Sequence, residues 1–262
     1  MSYIVTESKE QCFAQLKLLI DAFNKEYSAL KKPKYNEAQL RIDFINPMLK
    51  TFGWDVDNEF KKSQFLRDVN QEEPIDISED DITTKKKPDY SLNVNGSKKL
   101  FIEAKKVSVD IDKSISSAFQ TRRYGWNANL GISILTNFER LVVYDCRYKP
   151  VSTDLPSVAR YTSFHFSEYL TNFDELYNLL SFQSIASGYI DDYFSLTHKD
   201  LSPFDDYFLT QIETWRKLLA TDIVLNNKGF NEEDINFLIQ RLLNRIVFLR
   251  ICEDREIEKY ET

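Results

Sequence analysis

Residues 88–105 read Pro-Asp-Tyr-Ser-Leu-Asn-Val-Asn-Gly-Ser-Lys-Lys-Leu-Phe-Ile-Glu-Ala-Lys. Asn95-Gly96-Ser97 is a strong reverse-turn signal between two runs of strand composition, 88–94 and 98–104. Strand residues two apart face the same way, so Glu103 and Lys105 project together. Antiparallel pairing across the turn can bring Asp89 alongside them. Two carboxylates and the backbone carbonyl of Ala104 form a hard oxygen site suited to Mg²⁺. An adjacent ammonium can orient or deprotonate water and stabilise a phosphorane-like transition state. Phosphodiester hydrolysis requires that combination. The competing reading is two solvated acids and a surface lysine on an ordinary hairpin. Leu100-Phe101-Ile102 weighs against it, because a buried strand there puts Glu103 where an uncompensated charge is costly.

Working outward, residues 8–31 carry apolar side chains at helical spacing, and a second helix is expected over 36–51. Asn36 is its N-cap, with Gln39 completing an approximate capping box, and Gly53 supplies the stop. The acidic stretch 68–81 reads as a loop or solvated hairpin. Residues 111–125 look helical, and 131–136 and 140–144 look like a further strand pair. The order strand-strand-helix-strand-strand implies an α/β fold, a mixed sheet flanked by helices. After Pro150 the texture becomes polar, with an edge strand expected near Phe164. Helices are then expected over 173–194, from Pro203 to about 225, and from Asn231 to about 256. Leu238, Leu242, Ile246, Phe248 and Leu249 supply the apolar face of the last one. These patterns divide the chain into 1–172 and an all-helical connector at 173–262.

The 262 residues carry a formal charge of -7, with 42% hydrophobic and 14% aromatic content. Such a composition excludes a disordered chain, a collagen-like repeat and a disulfide scaffold. The charge is patterned. Residues 82–149 hold 13 basic and 6 acidic groups, whereas 68–81 hold 7 acidic groups and no basic one. A local basic surface can therefore meet a polyanion on an acidic protein. Cys12, Cys146 and Cys252 are odd in number and far apart, and His165 and His198 are isolated. Buried thiols in a reducing compartment are expected, with no zinc site. The start lacks a secretory pattern and no run is long enough to span a membrane, so a soluble, cytoplasmic protein without membrane contact is expected.

Pro88-Asp89 followed by Glu103-Ala104-Lys105 resembles the signature of the PD-(D/E)xK nucleases, the restriction-endonuclease-like superfamily. Residues Asn36-Glu37-Ala38-Gln39-Leu40-Arg41, with Phe44-Ile45-Asn46-Pro47 and Phe52-Gly53-Trp54-Asp55-Val56, resemble the opening of nuclease domains in type I restriction motor subunits and single-chain restriction-modification enzymes. The resemblance implies that Asp89 and Glu103 bind Mg²⁺ (Mn²⁺ substituting), that Lys105 assists the attacking water, and that Glu37 is a helical acid pointing into the same site as a further metal contact. Gln120 and Tyr124, at i and i+4 of one helix face, resemble the QxxxY element of type I restriction nucleases. Residues 240–255 resemble the helical connector that precedes the methyltransferase domain in type IIG restriction-modification proteins. Lys85, Lys86, Lys87, Lys106, Arg122 and Arg123 are expected phosphate contacts.

The resemblance implies a Mg²⁺-dependent endodeoxyribonuclease acting on double-stranded DNA, the nuclease portion of a restriction-modification protein, leaving a 5′-phosphate and a 3′-hydroxyl. One catalytic centre per chain implies a transient homodimer or two successive nicks for a double-strand break. No amino-methyltransferase motif, motor phosphate loop, helix-turn-helix or zinc finger is found. The chain is therefore expected to be a fragment whose methyltransferase and specificity functions lie in cis or in trans. S-adenosylmethionine would belong only to those missing domains. Two other readings stay open: a non-cleaving DNA-binding or scaffold module of a restriction complex, and a repair-type nuclease.

Overall fold

A computed structural model describes residues 8–79, 82–194, 212, 215–224 and 230–254. It divides into two compact units, Met1–Leu201 and Ser202–Thr262.

The first unit is built on a six-stranded mixed sheet. Its strands, in spatial order, are β1 (Val69–Gln71), β4 (Tyr90–Val94), β5 (Ser97–Ala104), β6 (Ile132–Thr136), β7 (Arg140–Asp145) and β8 (Arg160–His165). The expected hairpin is present, with β4 antiparallel to β5 and Tyr90 opposite Ile102. Asn95 and Gly96 both take positive φ in the turn, the conformation that an Asn-Gly pair tolerates. β5 runs parallel to β6, and α4 (Ile115–Asn127) makes the crossover that parallel neighbours require. That helix starts later than expected, where Ser114 caps it by accepting from the Ser117 N–H. β8 is the edge strand anticipated near Phe164.

One sheet face is covered by α1 (Lys9–Leu30) and the helical segment 37–51, which bury Leu16, Phe23, Leu40 and Met48 against Leu100 and Ile102. The second helix is not a continuous α-helix. It runs as α2 (Glu37–Leu40), a π-turn (Arg41–Ile45) and α3 (Asn46–Thr51). Pro47 has no N–H to close the ordinary ladder, and the Asn46 N–H reaches back five residues to the Arg41 carbonyl. The Asn36 cap holds as expected, with its side chain accepting from Gln39 N at 2.8 Å and the Gln39 side chain returning the bond.

The other face is covered by α4 and by a hairpin of β2 (Ile75–Glu79) and β3 (Ile82–Lys86). The acidic stretch thus does enter a hairpin, but one whose isoleucines are packed rather than solvated. Ile75 and Ile77 are buried with Phe101 and Tyr124, and Val69 closes the edge of the sheet beside Leu92. Three of its acids are neutralised locally: Asp68 by Lys62, Glu72 by Arg41 and Glu73 by Lys98.

The first unit also continues past the boundary expected at 172. α5 (Phe173–Leu180), α6 (Phe182–Ala186) and α7 (Tyr189–Tyr193) place Phe173, Leu176, Leu179, Ile185 and Ile190 in the same core as the sheet. The Trp54 indole N–H donates to the Leu180 carbonyl at 2.7 Å. A shared core of that size makes these three helices part of the sheet domain.

In the second unit, residues 215–224 are helical and a long helix spans Glu232–Asp254. Among its described side chains, Ile239 and Leu243 are buried. The expected apolar face of Leu238, Leu242, Ile246, Phe248 and Leu249 is exposed. The helical start expected at Pro203, as well as His198 and the side chain of Cys252, lie outside the described residues. Cys12 and Cys146 are buried free thiols. Among the described residues no helix is long and apolar enough to cross a membrane.

Candidate active site

The candidate residues collect where β4 begins and β5 ends. In β5, Leu100 and Ile102 point into the core under α1, so the alternate positions Phe101 and Glu103 face the α4 side. The register that sets Tyr90 against Ile102 brings Asp89, one residue earlier, beside Glu103. Asp89 Oδ2 accepts from the Ala104 N–H at 2.7 Å, which ties the first acid to the backbone between the other two members of the motif. Lys105 Nζ donates to Glu103 Oε1 at 2.5 Å. The Lys105 N–H in turn bonds to the Thr136 carbonyl at 2.9 Å, so the neighbouring parallel strand fixes where the lysine leaves the sheet.

Glu103 is almost fully buried, with only 5% of its side chain exposed. Its second oxygen, Oε2, is buried without a hydrogen-bond partner. Burial pushes its carboxyl up to about 7, and the charge of Asp89 adds to the shift while Lys105 opposes it. Asp89 is raised for the same first reason, against the lowering by the Ala104 N–H and Arg41. Burial alone would lower Lys105, but Glu103, Glu37 and Asp89 outweigh it and hold the ammonium above its ordinary range. In this state Lys105 is a cation that can orient water and steady negative charge, not a free amine base.

Glu37 is half-buried in the first turn of α2. Burial raises it, Lys105 counteracts that rise, and Asp89 adds to it. It therefore belongs to the same electrostatic site. Among the described residues no three His, Cys, Asp or Glu side chains gather closely enough to hold a metal by themselves. The donor set that fits a hard cation is the Asp89 and Glu103 pair, with its orphaned Oε2, supplemented by carbonyl and water oxygens. Glu37 stands outside that pair.

Gln120 and Tyr124 do meet. Gln120 Nε2 donates to the Tyr124 hydroxyl at 2.7 Å. The Tyr124 ring packs edge-on to Phe101, and its hydroxyl feels the charges of Glu103 and Lys105. The pair thus supports the site from α4.

The expected phosphate contacts divide. Lys85, Lys86, Lys87 and Lys106 are exposed, the first three leading directly into Pro88-Asp89. Arg123 is half-buried with its guanidinium over the Phe119 ring. Arg122 is not a phosphate contact. Its side chain is 1% exposed and its Nη1 pairs with Asp154 at 2.6 Å. The two arginines are adjacent on a helix, so only one can turn outward when α4 lies on the sheet.

One member of the site escaped the sequence reading. Arg41 Nη1 lies 2.9 Å from Glu72 and 3.2 Å from Asp89 Oδ1. Its Nη2 donates to Gln71 at 3.0 Å and its Nε to the Tyr90 hydroxyl at 3.3 Å. Tyr90 passes the connection on by donating to Asn46 Oδ1 at 2.7 Å. The signal available in the sequence was the spacing: Arg41 follows Glu37 by four residues and shares its helix face.

Residues 34–152 match the family described as "Type I restriction enzyme R protein N terminus (HSDR_N)". The chain is 41% identical over 250 residues to the Escherichia coli protein "Type II restriction enzyme and methyltransferase RM.Eco57I", a match covering 95% of this chain and 25% of that protein. The chain thus spans a quarter of that relative's length. A solved structure of the type IIG restriction endonuclease BpuSI aligns over 68% of this chain and 19% of its own, with 13% identity and a TM-score of 0.35, a likeness too slight to bear on the chemistry. The N-terminal domain therefore matches a restriction-enzyme family and has a homologue among type II restriction-modification proteins.

Proposed function

We propose that this chain is the nuclease portion of a restriction-modification protein and hydrolyses phosphodiester bonds of duplex DNA with Mg²⁺. The observation that carries this reading is the buried Glu103, unpartnered at Oε2 and held beside Asp89 and Lys105 at the end of a hairpin. A carboxylate left in that condition inside a sheet is costly unless a cation completes it. The restriction-enzyme relatives favour duplex DNA as the substrate, with methylation and target recognition supplied by other domains.

Asp89, Glu103 and the Ala104 carbonyl would hold the Mg²⁺, which when bound supplies charge neutralisation and an acidified water. The Ala104 N–H keeps Asp89 turned towards that position. Lys105, held protonated by the acids around it, orients the attacking water and steadies charge on the phosphate oxygens. Glu37 shapes the field at the rim. Gln120 and Tyr124 pair on α4, where the Tyr124 hydroxyl lies within the field of Glu103 and Lys105. The exposed run Lys85–Lys87 gives the DNA backbone its first contacts.

The test is plasmid nicking by the full chain in Mg²⁺ and in chelator, alongside Asp89→Ala and Lys105→Ala. Mg²⁺-dependent nicking lost in both variants supports the reading. Nicking that survives both substitutions overturns the assigned site, and a chain that never nicks while DNA still binds leaves the non-cleaving module instead.

A further inference from the structure

Asp89 has both oxygens engaged, one by the Ala104 N–H and the other by Arg41. Four carboxylates surround this spot: Glu37, Glu72, Asp89 and Glu103. Their nearest tethered cations are Arg41 and Lys105, and Lys105 is committed to Glu103. Arg41 is left to answer for Asp89. It is not a floppy surface group, since its side chain is 13% exposed. Gln71 and Glu72 at the end of β1, the Tyr90 hydroxyl and the Tyr90 ring 5.0 Å away hold it from four directions. The Arg41–Ile45 π-turn starts at this residue, and such turns are found frequently at functional sites.

We propose that Arg41 is a positioning residue, a built-in counter-cation that holds Asp89 in place in the metal-free chain and competes with a divalent ion for its charge. This inference rests on the metal-dependent reading above. A guanidinium contributes five donors in a fixed fork, so it can hold Glu72, Gln71, Tyr90 and Asp89 at once, which an ammonium cannot. Removing it has two separable consequences. The charge competing for Asp89 disappears, so a divalent ion should bind more tightly. The carboxylate also loses its outer anchor, so cleavage should slow. A merely structural residue would weaken both together.

The experiment is calorimetric titration of the DNA-free full chain with Mn²⁺, with thermal unfolding in parallel, on wild type, Arg41→Met and Arg41→Lys. Arg41→Met is expected to bind Mn²⁺ several-fold more tightly and to gain more thermal stability from it. Its single-turnover nicking is expected to fall by about 10- to 100-fold. Arg41→Lys keeps the charge and should bind Mn²⁺ as wild type does, while nicking more slowly than wild type. If Arg41→Met does not fold alone, Mn²⁺ should restore its fold, and failure to do so overturns the proposal. Unchanged or weaker Mn²⁺ binding by a folded Arg41→Met also overturns it, with the nuclease reading intact. A wild type that neither binds Mn²⁺ nor nicks DNA removes both.

Discussion

The outer end of the β4–β5 hairpin and the inner side of α4 both bury charge, and they resolve it differently. On α4, Arg122 is closed off against Asp154, whose Oδ2 also accepts from the Val151 N–H at 2.9 Å. One cation meets one anion, and a backbone donor helps to seal the contact. At the hairpin end, four carboxylates share two tethered cations, and Glu103 Oε2 has no partner at all. The α4 pair balances in charge, although Arg122 Nε and Nη2 are themselves buried without partners, whereas the hairpin cluster gathers more carboxylates than tethered cations. Imbalance of that kind, sustained by burial, is what the proposed Mg²⁺ would relieve.

Substitution should separate the two regions by which property is lost. Asp89→Ala is expected to reduce Mg²⁺-dependent nicking by on the order of 10³-fold, with the melting temperature little changed. Retention of cleavage would erase the distinction drawn between the clusters. Asp154→Ala should do the reverse. It leaves Arg122 charged and enclosed, a change that typically costs about 3–5 kcal/mol. Urea unfolding should show that loss, and nicking at low temperature should persist in the fraction still folded.

The next effect in size concerns pH. The Glu103 carboxyl rises from 4.5 in the unfolded chain to about 7 in the folded one. Between those values the folded state keeps a proton that the unfolded state has released. Stability therefore falls as pH rises through that window and levels off above it. Glu103→Gln removes this slope and should be more stable than wild type at about pH 8, by on the order of 2–4 kcal/mol, but not at about pH 4. Urea midpoints at the two pH values read this directly. Equal slopes in wild type and variant would mean that the Glu103 carboxyl titrates in the fold as it does in the unfolded chain.

Most of the sheet was legible because its signals are local. Asn95-Gly96 fixes a turn, alternation fixes which residues of β5 face α4, and two acids and a lysine then fall together. Gln120 and Tyr124 were legible for the same reason, being neighbours on one helix face. What escaped depends on tertiary partners. Charge made 68–81 look solvated, yet the two isoleucines of β2 find Phe101 and Tyr124 across the sheet. The helices at 173–194 look like the start of a helical module until Trp54 and the sheet core are seen beneath them. Arg122 and Arg123 are indistinguishable in sequence, and only the seat of α4 decides which is enclosed. Arg41 needed both the π-turn and the edge strand to reach Asp89.

The smallest expected effect tests the rim itself. Lys85, Lys86 and Lys87 are exposed and lead into Asp89, while Arg122, equally cationic, is enclosed. Each lysine that meets a phosphate releases about one counterion, so replacing all three by alanine should flatten the dependence of log affinity on log salt by about 2–3. Single replacements should weaken DNA binding only a few-fold. Arg122→Met, in the fraction that folds, should leave the salt slope where it was. Metal-free gel shifts with duplex DNA at several salt concentrations measure all of these without cleavage intervening. A salt slope that follows Arg122 rather than the lysines would mean that α4 leaves the sheet when DNA binds, and the sealed region would have to be counted with the open one.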